Sequence, residues 1–468
     1  SFLLLLIAMA IRQNAPSKAL YPRLAASIKS ALARLLRQRT IVITDRATAH
    51  RLLVRGCVGG AFSSRPTNTA LTAIISHHRQ HNLTPRHTVY SGASHAATSP
   101  PGFLTCYAPA RRDAHRGLVA YLREQCTSNP HGLALAAESI RTALFGLFAT
   151  MCFGEGLDKV LVRAMADAQH EFISFFPKLH VFARRPALAR LIHRKRWSKL
   201  LPYRRKQEDM YLLLIHARRT RQRHSGEPPA YVDTLINLWV PDDHNDVSKQ
   251  RRQHRLADRE IMDLCAEFVG AGTETVASEL QYIMANLVKR PHATVDLDAE
   301  EVGEEVVGKL EYLNAVVMEV LRLHPTVTLV HTKVSEEDDI VHDGRHISAG
   351  TEMFFLSESI TLDKMAWADP NEFRPERFLP CRGGETVSLV AAAGSGGGEV
   401  RMVQFGAGRR VCPGMGVAML HMGYFMANLV KEFEWRELAV DLRPHYSFIT
   451  FMRRPLSAHL VPLPSKGG

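Results

Sequence analysis

The ten residues from Phe405 to Gly414 constrain this chain more than any other segment. They read Phe-Gly-Ala-Gly-Arg-Arg-Val-Cys-Pro-Gly. The glycines at 406 and 408 permit a tight turn that a flat molecule can approach, because no Cβ atom covers the backbone there. Pro413, directly after Cys412, suits the first position of a helix. The pattern therefore predicts a sharp loop that places Cys412 at the start of a helix.

The surroundings of Cys412 predict a thiol that ligates or reacts. Free amide groups and the positive end of a helix dipole favour a thiolate and lower the pKa of a thiol. Arg409 and Arg410 add positive charge nearby. We therefore expect an anionic ligand or a nucleophile at Cys412. The alternative, an inert buried cysteine, leaves the glycines and arginines unexplained.

Cysteine count and charge limit the other classes of protein. The seven cysteines are odd in number, scattered and without a Cys-x-x-Cys pair. This argues against a disulfide framework or a zinc ribbon and indicates a reducing compartment. The 59 Lys and Arg residues exceed the 46 Asp and Glu residues, and the net charge of +13 predicts attraction to acidic partners. Nucleic acid, an anionic membrane and an acidic protein all remain open on charge alone.

The hydrophobic pattern predicts a mainly α protein with a minor β part. Amphipathic helical periodicity extends over residues 116–223 and recurs in shorter segments elsewhere. We expect further helices at Lys18 to Arg39, Asp258 to Lys289, Lys309 to Leu323 and Gly414 to Phe433. Strands are expected at Thr40 to Asp45, Asp339 to His342, Glu352 to Phe355, Tyr446 to Met452 and His459 to Pro462.

The N-terminal residues 1–11 form an apolar run that ends at Arg12. A helix that spans a bilayer needs about 20 such residues, so this run is too short to span. Because the chain begins with Ser, we interpret residues 1–11 as the remnant of a longer N-terminal membrane anchor. The alternative is an ordinary buried or flexible end. Residues 12–468 would then form the functional domain.

A strongly basic stretch runs from Arg184 to Lys206 and contains no acidic residue. Trp197, Leu200 and Tyr203 are interleaved with its charges. Such a mixture is typical of a surface that faces nucleic acid or a membrane. The alternative is a helix face that is only solvated.

The pattern Phe-Gly-x-Gly-x-Arg-x-Cys-x-Gly in residues 405–414 resembles the haem-binding loop of the cytochrome P450 monooxygenases. The resemblance implies the cytochrome P450 fold and haem b as the cofactor. It makes Cys412 the axial thiolate ligand of the iron, whose electron donation favours O–O cleavage. Phe405 would shield the sulfur, Gly406 would let the haem approach the loop, and Arg410 would pair with a haem propionate.

Glu319-Val320-Leu321-Arg322 fits the Glu-x-x-Arg pattern of the same family. This short pattern occurs by chance, and Glu138-Ser139-Ile140-Arg141 is such a decoy. The copy at Glu319 is followed by His324-Pro325 and by a segment similar to the family's Phe-x-Pro-Glu-Arg-Phe, which contains Arg377. The resemblance implies a structural cluster of Glu319, Arg322 and Arg377. Breaking one partner of such a buried cluster costs about 3–5 kcal/mol.

The segment Ala271-Gly272-Thr273-Glu274-Thr275 is similar to the family's oxygen-activation segment. Ala271 and Gly272 would leave room for dioxygen. Glu274 and Thr275 would supply an acid and a hydroxyl for proton delivery, which is general-acid chemistry. The alternatives are a helix N-terminus capped by Thr273 and a flexible glycine kink.

The resemblance covers most of residues 206–464 and weakens before them. The family's Trp-x-x-x-Arg is best matched by residues 112–116, so only Arg116 carries over as a propionate partner. Lys333 occupies the place of a basic residue that meets the other propionate. Gln404 replaces the Pro that plant members usually place before the loop. These departures leave open a haem-binding pseudoenzyme with impaired turnover.

The sequence is most similar to the plant A-type, microsomal members of the family. This implies a monooxygenase on the cytosolic face of the endoplasmic reticulum membrane, with electrons from an NADPH-cytochrome P450 reductase. The substrate would be a lipophilic small molecule, and we expect no nucleic-acid partner. The substrate pocket would be lined by the Ala271 side of its helix, by Thr326 to Val330 and by the Phe448 to Phe451 turn. A haem-free basic protein that binds nucleic acid is the alternative from another class.

Overall fold

The computed structural model describes residues 40–55, 62, 103–129, 133–182, 186–221, 224, 226–241, 253–290, 302–334, 339–379, 389, 400–436 and 440–463. The proposed anchor at residues 1–11 and the predicted helix Lys18 to Arg39 lie outside these residues. None of the helices in the described ranges combines the length and the apolar composition that crossing a bilayer requires.

Helices make up most of the described chain. In chain order they are α1 (Arg46–His50), α2 (Phe103–Cys106), α3 (Ala108–Ser128), α4 (Ala136–Phe153), α5 (Lys159–Phe175), α6 (Pro186–Ile192), α7 (Arg194–Thr220), α8 (Tyr231–Ile236), α9 (Asp258–Val288), α10 (Glu304–Val307), α11 (Glu311–Leu323), α12 (Ser357–Thr361) and α13 (Met415–Glu432).

The strands are short and form a minor part of the fold. They are β1 (Thr40–Ile43), β2 (Leu133–Ala134), β3 (Trp239–Pro241), β4 (Gln253–Arg255), β5 (Leu329–Lys333), β6 (Ile340–His342), β7 (Arg345–Ile347), β8 (Glu352–Leu356), β9 (Phe433–Arg436), β10 (Pro444–Tyr446), β11 (Thr450–Met452) and β12 (Ala458–Pro462). The predicted mainly α fold with a minor β part is confirmed.

The chain divides into two compact units. The first contains residues 1–66, 278–456 and 463–468. Its three-stranded sheet has β8 in the centre, parallel to β1 and antiparallel to β5. Apolar side chains of this sheet pack in one core with α1 and with Val400, Val403 and Ala407. Ala407 belongs to the loop that contains Cys412, so this core holds the loop.

The second unit contains residues 67–277 and 457–462. It is built from helices α2 to α8 and the first part of α9. Here β2 pairs antiparallel with β12, and β3 pairs antiparallel with β4. Leu179, Phe182, Ala189 and Leu200 form a small apolar core beside α6 and α7.

The long helix α9 confirms the prediction of a helix from Asp258. Asp258 and Glu260 lie in its first turn, where negative charge is favourable. The Glu260 side chain accepts a hydrogen bond from the Ala257 amide at 2.8 Å, which caps the helix. Pro291 follows Arg290 in the sequence. A proline disfavours the helical conformation in the residue before it, which agrees with the end of α9 at Val288.

The predicted strand from Tyr446 to Met452 is wrong in one respect. The structure has a hairpin there, in which β10 pairs antiparallel with β11 and Tyr446 lies opposite Thr450. The Ser447 amide donates to the Ile449 carbonyl at 3.1 Å inside the turn. The run carries no Gly or Pro, so the sequence offered none of the usual turn signals.

Candidate functional site

The loop from Phe405 to Gly414 is a tight turn held by its own backbone. The Cys412 amide donates to the Phe405 carbonyl at 2.7 Å. Gly406 and Gly408 have φ values of +73° and +66°, in the left-handed region that favours glycine. The glycines are therefore required by the geometry of the loop, as the sequence predicted.

The thiol of Cys412 differs from the prediction in its surroundings. Helix α13 begins at Met415, with Gly414 as its N-cap, so Cys412 lies two residues before the cap. Burial raises the pKa of the Cys412 thiol, and a hydrogen bond from the Gly414 amide opposes this shift without cancelling it. The prediction of a lowered thiol pKa is wrong for the protein alone, because desolvation of the thiolate outweighs one amide donor.

The donor set at this loop fits a haem iron better than a bare metal ion. Cys412 supplies a single sulfur, and the described residues contain no group of three or more His, Cys, Asp or Glu side chains that could hold a metal. One thiolate suits an iron whose other ligands come from a porphyrin. Coordination to a metal also deprotonates a thiol outright, which removes the obstacle of its raised pKa.

Gln404 holds the start of the loop to α11. Its side-chain amide donates to the Leu321 carbonyl at 2.8 Å, and the residue is buried. Leu321 lies between Glu319 and Arg322 on that helix. The replacement of the family's proline at this position therefore provides a hydrogen bond that proline could not make.

Glu319, Arg322 and Arg377 lie together in a buried cluster. Two nitrogens of Arg322 donate to the two oxygens of Glu319 at 2.7 and 2.8 Å, and Nε of Arg377 donates to Oε1 at 3.1 Å. The Arg374 amide adds a fourth hydrogen bond at 2.8 Å. Both Glu319 and Arg322 are fully buried. Every charge in this cluster has a partner, which is the condition under which buried charges are tolerated.

Backbone carbonyls and an aromatic ring complete the same cluster. Arg322 donates to the Pro370 carbonyl at 2.7 Å, and Arg377 donates to the Ala368 carbonyl at 2.9 Å. The guanidinium groups of Arg322 and Arg377 also lie 5.4 and 5.8 Å from the centre of the Trp367 ring. The cluster thus ties α11 to the segment that follows α12.

The decoy pattern at Glu138 behaves differently. The Glu138 carboxylate pairs with Arg163, and both side chains are about half exposed. Arg141 instead donates to the Ala166 carbonyl at 3.2 Å. The same Glu-x-x-Arg spacing therefore produces no buried cluster in α4.

The segment Ala271 to Thr275 lies inside the continuous helix α9. The alternative of a helix N-terminus capped by Thr273 is therefore wrong. The Thr275 hydroxyl donates to the Ala271 carbonyl at 2.7 Å, the backward bond that threonine makes within helices. Ala271 is exposed and Thr275 is half-buried, so one face of the helix at these positions is open.

The glycines of the same segment serve helix packing. A Cβ atom at Gly272 would overlap the ring of Phe148 from α4. A Cβ at Gly270 would lie 2.6 Å from the amide nitrogen of Gln169 on α5. Gly272 was expected to leave room for dioxygen. In the structure, the ring of Phe148 occupies the space in which a side chain at this position would lie. Ala271 alone of this pair faces open space.

Glu274 is buried on the side of α9 that faces α5. Its side chain is 2% exposed, and its Oε1 lies 3.6 Å from Nδ1 of His170. Oε1 has no hydrogen-bond partner among the described residues. The sequence did not single out His170, since no local pattern connects it with Glu274.

Arg116 and Lys333 lie on separate elements. Arg116 is on α3, two-thirds exposed, with its guanidinium 3.6 Å from the carboxylate of Asp113. Lys333 is the last residue of β5, opposite Glu352 of β8, and is half-buried. Phe405 and Arg410 in the cysteine loop are also half-buried.

A set of hydrogen bonds in the first unit joins two of the three segments that were expected to line a substrate pocket, Thr326 to Val330 and the Phe448 to Phe451 turn. The Thr450 amide donates to the Thr326 carbonyl at 2.8 Å. From the second half of α9, the Ser278 hydroxyl donates to the Thr450 carbonyl at 2.7 Å, and the Tyr282 hydroxyl donates to the Phe451 carbonyl at 3.0 Å. These segments are therefore held to one helix.

Glu279 belongs to the same set and was missed by the sequence analysis. Its Oε1 accepts a hydrogen bond from the Thr326 amide at 2.9 Å and another from the Thr326 hydroxyl. Burial raises the pKa of Glu279 to about 7, although both donors oppose the shift. The helical period could have placed Glu279 one turn beyond Thr275, but it could not have shown what Glu279 contacts.

Comparisons with known proteins agree with these observations. The family model described as cytochrome P450 matches residues 31–461. Cytochrome P450 89A9 of Arabidopsis thaliana is 34% identical over 448 residues, which cover 90% of this chain and 84% of that protein. Cytochrome P450 78A9 of Arabidopsis thaliana is 30% identical over 375 residues, 75% of this chain and 66% of the relative. Flavonoid 3'-monooxygenase of Petunia hybrida is 34% identical over 219 residues, 45% of this chain and 40% of the relative.

The family supplies the cofactor and the class of reaction. Its members bind haem b and work as oxygenases with a redox partner on lipophilic substrates. Nothing in the comparisons favours a haem-free nucleic-acid-binding protein or an inactive haem protein. The family model spans most of this chain, and plant relatives are identical to it at about a third of the aligned residues. This chain therefore belongs to the cytochrome P450 family, as a haem-thiolate monooxygenase of the plant A-type.

Proposed function

We propose that Cys412 is the axial thiolate ligand of haem b and that residues 12–468 form the monooxygenase domain. The backbone of the loop carries this proposal, because the bond from the Cys412 amide to the Phe405 carbonyl and the two left-handed glycines orient one sulfur in a rigid turn. When bound, haem supplies the centre at which dioxygen is activated. The chain inserts one oxygen atom into a lipophilic small molecule.

Several side chains are assigned to haem contacts. Phe405 would cover the side of the sulfur, and Gly406 would leave the backbone open to the flat ring. Arg410, Arg116 and Lys333 would neutralise the propionates, since a cationic side chain beside a carboxylate forms a charge-assisted hydrogen bond. The guanidinium of Arg116 is two-thirds exposed beside Asp113.

Glu274 and Thr275 are assigned to proton delivery. The Thr275 hydroxyl donates its proton to the Ala271 carbonyl at 2.7 Å, which leaves its oxygen lone pairs able to accept a hydrogen bond. Glu274 is buried and supplies the proton that the hydroxyl passes on. A positioned acid of this kind contributes about 10²–10⁴-fold to a rate.

Spectroscopy of the reduced protein under carbon monoxide tests the ligand. We expect the strongly red-shifted haem band of a thiolate ligand in the wild-type protein. Cys412→Ala removes that band, whereas the matched control Cys106→Ala, at an exposed cysteine, retains it. A Cys412→Ala protein with an unchanged spectrum would refute the proposed ligand.

We place the catalytic domain on the cytosolic face of the endoplasmic reticulum membrane, with residues 1–11 as the remnant of an anchor. The exposed side chains of Leu191, Ile192 and Leu201 support contact with a membrane surface. They lie on α6 and α7 among exposed basic residues, including Arg205 and Lys206, which border a surface depression of about 610 Å³. Apolar and cationic groups together favour an anionic bilayer surface.

Vesicle flotation tests this surface. The protein is expected to float with vesicles that contain anionic lipid, and Leu191→Ser with Ile192→Ser should reduce the floated fraction severalfold. The control is Leu213→Ser, an exposed leucine further along α7. Binding to duplex DNA or RNA in place of vesicles would instead support a nucleic-acid surface on the same helices.

We assign electron supply to an NADPH-cytochrome P450 reductase. The excess of basic residues, including Arg401 and Arg409 near the loop, suits an acidic partner surface and predicts salt-sensitive association. Arg401 lies 5.8 Å from the centre of the Trp367 ring, so Arg401→Glu also removes a contact inside the protein. The variant therefore requires a spectroscopic check for intact haem binding. If Arg401→Glu with Arg409→Glu leaves the rate of reduction by the reductase unchanged, the charge argument fails.

A further inference from the structure

The position of Glu274 calls for a physical explanation. Its carboxyl is 2% exposed, and Oε1 lacks a hydrogen bond to any described residue. An ionised carboxylate without close donors is unfavourable in a protein interior. A carboxyl that exchanges a proton with a neighbouring group avoids this cost during part of a reaction cycle.

His170 on α5 is the neighbouring group. Its Nδ1 lies 3.6 Å from Oε1 of Glu274, and its side chain is 48% exposed. The imidazole therefore contacts both the buried carboxyl and solvent. One bridging water or a small rotation of the ring would complete the hydrogen bond, and hydrogen bonds used in catalysis are often long before the substrate binds.

The other groups around this pair do not replace His170. Tyr203 on α7 interacts electrostatically with Glu274 and Glu171, but burial is the main cause that raises its pKa. Its hydroxyl therefore stays neutral at physiological pH. Glu171 is exposed next to His170 on α5.

We infer that His170 is a proton relay that recharges Glu274 from solvent, an inference that rests on the proposed role of Glu274. For each dioxygen, the reaction consumes two electrons from the reductase and two protons, and one oxygen atom leaves as water. Glu274 releases a proton toward the reacting oxygen and takes another from Nδ1 of protonated His170. Solvent then protonates the neutral imidazole again, so neither residue is changed after each transfer.

A purely structural role for His170 makes different predictions. In that role the imidazole only packs beside the carboxyl, with Nδ1 3.6 Å from Oε1. Replacement of His170 should then change neither the pH dependence of turnover nor the reactivity of the pair. His216 provides a matched control, because it is 60% exposed on α7 with its Nε2 3.0 Å from a carboxylate oxygen of Asp258.

The first measurement is NADPH-driven oxygen consumption by the holoenzyme with its reductase. His170→Gln should lower the rate about tenfold at pH 8, within the range of general-acid effects. The loss should be smaller at pH 6, where solvent supplies protons more readily. His216→Gln should match the wild type at both pH values.

The second measurement is the rate at which diethyl pyrocarbonate modifies His170, followed by mass spectrometry. Glu274→Gln removes the carboxylate that lies 3.6 Å from Nδ1 of His170, so the rate at which His170 is modified should change severalfold in this variant. Modification of His216 should not change. This arm needs only the folded wild-type and Glu274→Gln proteins, so it decides the matter even if His170→Gln does not fold.

The outcomes separate the relay from the function on which it rests. If Glu274→Gln slows oxygen consumption while His170→Gln does not, the relay is overturned and the role of Glu274 stands. If neither variant slows it, the role of Glu274 fails and the relay fails with it. Equal modification of His170 in wild type and Glu274→Gln would also overturn the relay.

Discussion

Glu319 and Glu274 are both buried carboxylates on long helices, yet their surroundings are opposite. Glu319 accepts hydrogen bonds from Arg322, Arg377 and the amide of Arg374. Glu274 has an oxygen without a hydrogen bond in the described part of the chain, and its neighbour His170 is half-exposed.

The difference indicates what each carboxylate does. Both oxygens of Glu319 accept hydrogen bonds, and several of these bonds would have to break for the carboxylate to move. The Glu319 cluster therefore joins α11 firmly to the segment that follows α12. The Oε1 atom of Glu274 makes no such bonds to the described residues, so this carboxyl is not fixed in the same way. Four substitutions test the roles of these side chains and of the packing around α9, two of them with matched control variants.

Glu319→Gln should have the largest effect on stability. It leaves the buried guanidinium of Arg322 without its counter-charge, which costs about 3–5 kcal/mol. The free energy of unfolding from denaturant titration of the holoenzyme measures this loss. Glu138→Gln, in the decoy Glu-x-x-Arg with half-exposed partners, should cost less than about 1 kcal/mol. Equal losses in the two variants would contradict a special role for the buried cluster.

Glu279 should make stability depend on pH. Its pKa is about 7 in the folded protein against 4.5 for the ordinary group, so the folded state holds the proton more tightly. The contribution is fully present below about pH 4.5 and is lost as the pH rises through about 7, a change of about 3 kcal/mol.

Glu279→Gln stays neutral and can still accept the hydrogen bonds from Thr326. Relative to wild type, the variant should therefore gain stability as the pH rises from 5 to 8. Denaturant titrations at several pH values measure the difference. A difference that does not change with pH would show that Glu279 titrates at its ordinary pKa.

Gly272→Ala tests whether this glycine serves packing. The added methyl overlaps Phe148, and overpacking of this kind costs about 1–3 kcal/mol. Gly146→Ala in α4 has no atom within 4 Å of its new Cβ and should stabilise by about 0.5–1 kcal/mol. Adding Phe148→Leu to Gly272→Ala should recover part of the loss. A neutral Gly272→Ala would instead indicate space beside α9.

Glu274→Gln should have the smallest effect on stability. Because Oε1 of Glu274 has no hydrogen bond to a described residue that the change could break, the free energy of unfolding should stay within about 0.5 kcal/mol of wild type. Thermal unfolding at pH 7 measures this. A loss as large as that of Glu319→Gln would place Glu274 among the structural carboxylates and remove the contrast.

The local elements followed well from the sequence. The bounds of α9 and α11 agree with the predicted helices within two residues, because their periodicity is strong and a proline follows each. The hairpin of β10 and β11 was missed, because its turn at Ser447 to Ile449 lacks glycine and proline. The N-cap of α13 is Gly414, whereas the sequence had placed Cys412 at the helix start.

The site was predictable where its residues are close in the chain. The cysteine loop and the Glu319–Arg322 pair each fit within a few residues, and the two glycines at 406 and 408 adopt the positive φ values that their spacing predicted. Partners from distant segments were not predictable. The amide of Arg374 and the side chain of Gln404 contact α11, although both residues are more than 50 positions away in the sequence. No pattern within α11 predicts these contacts.

The sequence by itself determined the family, the loop that presents Cys412 and the helix that carries Glu274 and Thr275, since each depends on spacing within a short segment. Only the tertiary structure decided which buried carboxylates have hydrogen bonds to all their oxygens and which have an oxygen without one among the described residues. Desolvation and hydrogen bonding depend on groups that folding brings together from distant parts of the chain. That is why burial raises the pKa of Cys412, and why Glu274 has His170 for its neighbour.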